Sequence, residues 1–219
     1  MPRSYQQNCP IAKGLDVLGE RWTLLILREL IGGPRRYGDL RGQLPGIATN
    51  LLADRLRELE EAGLVDREEL PPPVARTVYT LSQTGWRKVL PVVKAIAMFG
   101  LDMVVPDASA LTPLNGFLAG ILLGIDSGSI GDVRASYRVD IDKRRFEFAV
   151  DPAGLSAPQG SPAVTVTTTA ADLISARLGA TAAERKAALR RIKFDGDADA
   201  VGDMRRVFGL SGDPGLQAA

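Results

Sequence analysis

The chain has 219 residues, of which 45% are hydrophobic and 24% charged, and it carries one cysteine and no histidine. This composition excludes an internal disulfide, the usual zinc sites and any catalytic mechanism that depends on histidine. The formal net charge of +1 does not indicate a strongly basic protein, and the length allows two domains that each bury a core.

The sequence predicts a cytoplasmic protein without enzymatic activity. Its first ten residues, MPRSYQQNCP, are polar and unlike a signal peptide. The most apolar stretch, LNGFLAGILLGI, is shorter than the about 20 residues that cross a bilayer. The sequence carries no nucleophile motif, metal-ligand set or phosphate-binding loop, so we predict no cofactor and no metal.

The first predicted helix runs from Ile11 to Leu18. Pro10 suits the first helical turn, which makes Cys9 the residue that caps the helix. A thiolate at that position would be stabilised by the helix dipole. Cys9 is therefore a redox candidate, with a purely packing role as the alternative.

Two helices joined by a tight turn follow. The segment from Arg35 to Leu44, RRYGDLRGQL, carries a helical pattern, and PGI then turns the chain into the helix of GIATNLLADRLRELEEAGLV. One stripe of this second helix is apolar and consists of Leu52, Leu56 and Leu59. The opposite face carries Thr49, Asn50, Ala53, Asp54 and Arg57. This arrangement predicts a helix-turn-helix.

A two-stranded wing is predicted next. The helix ends at Gly63 and the chain enters an extended run, and RTVYTLS, from Arg76 to Ser82, returns as a second strand. PPPVA between them cannot pair as a central strand and is predicted to be a loop. The first part of the chain is thus predicted to be a mainly α winged helix-turn-helix.

These segments resemble the HxlR-type transcriptional regulators. The resemblance rests on the opening Cys-Pro, on LGERWTLLILREL, GPRRYGDL, LPGI and RLRELEEAGLV, and on VYTLSQTGWRKVLPVVKAIAMFG as the second wing strand and terminal helix. It covers about the first hundred residues and implies a protein that binds double-stranded DNA. Ala48 departs from the family, which usually has a polar residue there to cap the second helix. Some members sense oxidants through the cysteine equivalent to Cys9.

The N-terminal half of the second helix of a helix-turn-helix enters the major groove. We therefore predict that Thr49, Asn50, Ala53, Asp54 and Arg57 face base edges. Asparagine can pair with adenine, arginine with guanine, and an aspartate can accept from cytosine.

Other basic residues around this helix are predicted to contact the DNA backbone rather than bases. They are Arg76 at the base of the wing and Arg35 and Arg36 before the first helix of the motif. Simple solvation is the alternative for Arg35 and Arg36. For Arg55, on the buried flank, a phosphate contact and a salt bridge within the domain both remain open.

Apolar residues outside the motif predict a homodimer. Besides the first helix, the long helix from Trp86 to Phe99 carries more apolar surface than one small winged domain can cover, in Val89, Leu90, Val93 and Ile96. Pro91 is expected to bend this helix around its partner.

Past Gly100 the pattern changes. A linker is predicted around residues 104–110, followed by an apolar helix from Leu114 to Ile125. The strands ASYRVDI, RRFEFAV and AVTVTTT come next, the first two as a hairpin. A helix from Ala170, a second with a Thr181 and Glu184 capping box, the strand RIKFDGD and a final helix complete an α+β domain with an antiparallel sheet.

From Leu111 to Leu210 this order resembles the sterol-carrier-protein-like domain, in VTVTTTAADLISARLG and LRRIKFDGDADAVGDMRRVF. The resemblance implies a five-stranded antiparallel sheet, covered by helices, around an apolar tunnel for lipid-like molecules. The predicted ligand-binding residues are Phe117, Leu118, Ile121, Leu122, Tyr137, Val139, Phe146 and Phe148. The alternative is that they pack as an ordinary core without a cavity.

Together these patterns predict a winged helix-turn-helix domain over residues 1–105, a sterol-carrier-protein-like domain over 111–210 and a flexible tail over 211–219. The predicted function is a dimeric DNA-binding transcription regulator that responds to an apolar small molecule. The alternatives are a lipid carrier that uses the helix-turn-helix for dimerisation, and a regulator switched by Cys9.

Overall fold

A computed structural model describes residues 4–71, 76–100, 103, 125, 127–142 and 144–215. The chain divides into two compact units, Met1–Val89 and Leu90–Ala219. The predicted linker at 104–110 lies outside the described residues, so the predicted domain boundaries stay predictions. None of the helices within the described ranges is long and apolar enough to cross a membrane.

The first unit consists of helices followed by a two-stranded sheet. The helices are α1 (Pro10–Leu18), α2 (Thr23–Ile31), α3 (Tyr37–Gln43) and α4 (Thr49–Glu61), and the strands are β1 (Val65–Leu70) and β2 (Arg76–Leu81). The strands pair antiparallel. This order confirms the predicted winged helix-turn-helix. The predicted loop PPPVA lies, apart from Pro71, outside the described residues.

Helix α4 ends as the sequence predicts. Gly63 adopts a φ of 67°, a left-handed conformation that suits glycine because it lacks a Cβ atom. The backbone N–H of Leu64 donates to the carbonyl of Leu59 at 3.0 Å. The chain can therefore leave α4 and enter β1 at once.

The long helix α5 (Gln83–Gly100) contains Pro91, and the boundary between the two units falls inside it. Of the four residues expected to provide dimer surface, Val89, Leu90 and Val93 are buried within the single chain. Only Ile96 stays exposed, at 47%. The expectation for the other three was wrong because the folded chain itself covers one side of the helix.

The second unit has a five-stranded sheet: β3 (Ala135–Ile141), β4 (Arg144–Asp151), β5 (Gly154–Ser156), β6 (Val164–Thr168) and β7 (Lys193–Gly196). Three α-helices follow β6 in the chain: α6 (Ala170–Leu178), α7 (Ala182–Leu189) and α8 (Ala198–Val207). The strand order is β5-β4-β3-β6-β7.

This sheet is mixed, so the predicted antiparallel sheet was wrong. After β5 the chain crosses to the other side of β3, and β6 then runs parallel to β3, with Tyr137 opposite Val164. The remaining neighbours in the sheet pair antiparallel. Alternation of side chains identifies a strand but does not fix its direction, which depends on where the connection leads.

One face of this sheet carries the apolar core of the second unit. The rings of Tyr137, Phe148 and Phe208 lie 5.6 to 6.0 Å apart, and Phe208 approaches both of the others edge to face. The neighbours Val139, Phe146, Val164 and Val166 are also buried on the strands. Leu173 and Met204 bury their side chains on α6 and α8.

Candidate nucleic-acid interface

The core of the first unit fixes which side of α4 is exposed. Leu52, Leu56 and Leu59 are at most 1% exposed and anchor the helix. On the opposite side Thr49, Asn50, Ala53 and Arg57 are exposed and Asp54 is half-buried. The structure therefore brings together on one surface the five residues that the sequence predicts to face bases.

The turn between α3 and α4 is held by contacts that the sequence analysis did not identify. Gly46 has a φ of 91°, and a Cβ atom there would lie 3.8 Å from Cη2 of Trp22. The hydroxyl of Tyr37 donates to the backbone carbonyl of Thr49 at 2.6 Å. The hydrogen bond from Tyr37 joins the start of α3 to the start of α4, and the left-handed conformation of Gly46 lets the chain turn between them. The Pro-Gly pair was the only sequence signal of this geometry.

Helix α4 begins without a side-chain cap. Ala48 occupies the N-cap position in an extended conformation, and its methyl group accepts no hydrogen bond. The first N–H groups of a helix lack intrahelical partners and attract anions. The uncapped start of α4 therefore has backbone donors available for a phosphate group.

Ion pairs distinguish the two arginines in the middle of α4. Arg57 lies 2.8 Å from Asp54 and 3.9 Å from Glu61, and its side chain is 63% exposed. The side chain of Arg55 is only 14% exposed and pairs with Glu58 and, at 3.0 Å, with Glu20. Of the two roles left open for Arg55, the structure contains the salt bridge within the domain.

The three arginines predicted to contact the DNA backbone have different surroundings. Arg36 is exposed at the N-cap of α3, where its backbone N–H donates to Oδ2 of Asp39 at 3.1 Å. Arg35 is half-buried, and its backbone pairs with Tyr79 of the wing in both directions. Arg76 is exposed at the start of β2, opposite Leu70.

The wing itself is not strongly basic. Asp66, Glu68 and Glu69 are exposed on β1, and Arg67 pairs with Glu69 at 3.0 Å. Carboxylates repel phosphate groups, so the exposed acidic side chains of β1 do not favour contact of this strand with the DNA backbone.

Cys9 occupies the N-cap position of α1 as predicted, without a side-chain capping hydrogen bond, and it is half-buried. The backbone N–H groups of Ala12 and Ile11 lower the pKa of its thiol. A lowered pKa increases the fraction of reactive thiolate at neutral pH.

The predicted ligand-binding residues lie in two parts of the chain. Phe117, Leu118, Ile121 and Leu122 lie outside the described residues. Tyr137, Val139, Phe146 and Phe148 are at most 6% exposed in the core of the second unit. Val139 and Phe148 line an apolar cavity of about 30 Å³.

Comparison with known proteins supports the winged helix-turn-helix fold of the first unit. The HxlR-like helix-turn-helix family matches residues 17–107. The HTH-type transcriptional regulator sll1512 of Synechocystis sp. is 38% identical over 108 residues, which are 49% of this chain and 79% of that protein. The HTH-type transcriptional regulator YodB of Bacillus subtilis is 37% identical over 78 residues, 35% of this chain and 70% of YodB.

A solved structure, the redox regulator HypR in its reduced form, is 31% identical, with a TM-score of 0.41, over 43% of this chain and 92% of HypR. The sequence matches and the observed order of helices and strands agree over the same part of the chain. The chain therefore belongs to the HxlR-like helix-turn-helix family.

Proposed function

We propose that this protein is a DNA-binding transcription regulator that recognises its operator through α4. The observation that carries the proposal is the exposed surface of α4, with its polar and charged side chains opposite a buried leucine stripe in a helix-turn-helix. Membership of the HxlR-like family and the names of its relatives as transcriptional regulators support it.

Within this proposal Asn50 and Arg57 recognise bases. An asparagine amide can donate and accept at the N6 and N7 edge of adenine, and a guanidinium can donate twice to guanine. Arg57 is held by an exposed ion pair, which is weak in water and can open when the helix meets DNA. Asp54 then either accepts from a cytosine amino group or steers Arg57. Thr49 and Ala53 complete the surface as short side chains that allow close approach.

Phosphate contacts come from a second set of groups. Arg36 and Arg76 are exposed beside the motif and suit the DNA backbone, as do the uncapped N–H groups at the start of α4. We also assign the guanidinium of Arg35 to the DNA backbone, although its backbone N–H and carbonyl pair with Tyr79 of the wing. These contacts contribute affinity that falls with salt and is nearly independent of sequence.

A homodimer is the proposed working form. Helix α1 leaves Ile11 73%, Leu15 43% and Val17 40% exposed, and Phe99 at the end of α5 is 74% exposed. Large apolar side chains exposed together on one helix are typical of an interface. A two-fold dimer implies inverted half-sites about one helical turn apart.

The full chain can be used to select the duplexes that it binds from a random DNA library. This experiment tests both base recognition and the symmetry of the DNA site. We expect enrichment of inverted half-sites about one turn apart, and light scattering should give a dimer mass at micromolar concentration. A failure to enrich any sequence would contradict the proposal. It would favour a carrier protein if an apolar probe still bound to the chain.

We further propose that the second unit makes the regulator responsive to a small apolar molecule. The support is a cavity with apolar walls between the sheet and its helices. A ligand there alters DNA binding only if it binds the DNA-competent and incompetent forms with different affinity.

Cys9 supports a second candidate, a thiol-switched regulator, because its pKa is lowered and its side chain is partly accessible. The test is to treat the wild type and Cys9→Ser with diamide and to measure whether each protein stays bound to DNA. Release of only the wild type from DNA would support the switch, and an equal response would leave Cys9 with a packing role.

A further inference from the structure

The second unit buries an arginine without an acidic partner. Arg177 on α6 is 5% exposed, and its two terminal nitrogens donate to the backbone carbonyls of Pro214 at 2.7 Å and Phe208 at 2.6 Å. Its Nε has no hydrogen-bond acceptor. No carboxylate of the described residues pairs with it, and burial lowers the pKa of Arg177 to about 10.

Arg177 is also part of the wall of the apolar cavity. The other lining residues include Val139, Val166, Leu173 and Leu210. A buried cation is unfavourable unless an anion or a full set of acceptors compensates for its lost hydration. Neutral carbonyl groups supply two acceptors here but no negative charge, so the compensation is incomplete.

A short segment closes this site. Residues 209–215, which we call the C-terminal strap, follow Phe208 and carry Leu210 to the cavity and Pro214 to Arg177. Arg185 on α7 holds the strap through Asp213, with 2.7 Å between Nε and Oδ1. Gly209 and Gly212 in the strap have φ values of 57° and 85°. The strap is held at its start by backbone hydrogen bonds from Gly209 to Arg206 at 3.2 Å and from Leu210 to Arg205 at 2.7 Å. Near its end it is held by the contacts of Asp213 and Pro214.

We propose that Arg177 binds the carboxylate of a small apolar monocarboxylic acid, whose hydrocarbon part occupies the cavity after the strap withdraws Leu210. A carboxylate replaces the Pro214 carbonyl of the strap as acceptor, beside the Phe208 carbonyl that stays in place, and adds the missing charge. Charge-assisted hydrogen bonds are about twice as strong as neutral ones. A cavity of about 30 Å³ enlarged by one leucine side chain suits a single ring or a short chain. A long lipid needs a larger cavity than the one that the described residues enclose.

This inference gives a ligand class to the proposed sensor unit, and rests on the proposed function only for the effect of that ligand on DNA binding. The site itself is a property of the second unit. Benzoate and benzamide are suitable probes because they have nearly the same shape and differ in charge at the head group.

Calorimetric titration of the full chain at constant ionic strength tests the site. We expect wild type to bind benzoate about tenfold or more tightly than benzamide. Arg177→Met should remove this preference, so that benzoate and benzamide bind with about equal affinity. Leu210→Ala, the matched variant that keeps Arg177, should bind both probes more tightly than wild type and retain the preference for benzoate.

Circular dichroism of Arg177→Met establishes whether that variant folds. If it does not, the ratio of benzoate to benzamide affinity in Leu210→Ala decides the matter alone. Equal binding of the two probes, or no benzoate binding by either wild type or Leu210→Ala, would overturn the proposal.

Measuring DNA affinity with and without benzoate tests the proposed sensor role separately from the Arg177 site. If benzoate binds with the expected preference but leaves DNA affinity unchanged, the Arg177 site stands and the proposed sensor role fails. If the protein selects no DNA sequence, the proposed function fails and the binding result is unaffected.

Discussion

Nη2 of Arg57 lies 2.8 Å from Oδ1 of Asp54, one turn earlier on the exposed face of α4. The two side chains are 63% and 50% exposed, so solvent screens the pair and it contributes at most about 1 kcal/mol. The ion pair therefore orients Arg57 in the unbound protein without preventing it from contacting a base.

We predict that Arg57→Ala and Asn50→Ala each weaken specific DNA binding by about 1 to 3 kcal/mol and relax the preference at particular base pairs. Fluorescence anisotropy with operator variants measures this loss. Arg36→Ala is the control, because loss of a phosphate contact should weaken all sequences alike and reduce the salt dependence. The assignment of the groove face is wrong if Asn50→Ala behaves like Arg36→Ala.

Arg55 is predicted to position α4 rather than to bind DNA. It joins Glu58 on its own helix to Glu20, which precedes α2. Arg55→Ala should lower the free energy of unfolding by about 1.5 to 3 kcal/mol because it removes charged hydrogen bonds at a mostly buried site. Urea denaturation measures this change. Arg57→Ala, which removes an exposed pair on the same helix, should change stability by less than about 0.5 kcal/mol.

Gly46→Ala should destabilise the protein by about 1 to 2 kcal/mol, because its φ of 91° is unfavourable for a residue with a Cβ atom. The altered turn in this variant should also change the orientation of α4 and so weaken DNA binding. Thermal unfolding and anisotropy test both effects. Gly42→Ala within α3 is the control: a Cβ there meets no atom within 4 Å, and alanine favours a helix. A similar loss in both variants would contradict the explanation from backbone conformation.

Ala48→Ser should stabilise the protein by about 1 kcal/mol, because serine can cap α4, which begins without a side-chain acceptor. Denaturation by urea measures the gain. Ala48→Val is a useful comparison, since valine provides no hydroxyl group and is as poor an N-cap residue as alanine. If both variants behave alike, the missing cap is not what limits the stability of α4.

Asp213 predicts a pH dependence for the C-terminal strap. The side chain of Arg185 lowers the pKa of Asp213 from 3.8 to about 2. Because the folded-state pKa lies below the unfolded value, the carboxylate stabilises the fold fully above about pH 4 and loses this contribution as the pH falls towards 2. Urea denaturation from pH 6 to 2 should show a smaller acid-dependent loss for Asp213→Asn than for wild type. Parallel curves would contradict the role of this pair.

The local sequence pattern was sufficient to predict those features that depend only on residues within one helix or strand. The spacing of Leu52, Leu56 and Leu59 predicted which side of α4 is buried, and Thr181 with Glu184 predicted the start of α7, where Thr181 accepts from the backbone N–H of Glu184. Strand β5 was not identified, because its three residues are too few to show alternation.

The remaining features depend on contacts between residues far apart in the sequence. The sequence by itself determined the periodicity, the turns and the caps, because these follow from residues within a few positions of one another. Only the tertiary structure decided that β6 runs parallel to β3, that Arg55 meets Glu20, and that Arg177 is buried under the C-terminal strap. The direction of a strand and the partner of a charge are set by the path of the chain between them, and local periodicity carries no information about that path.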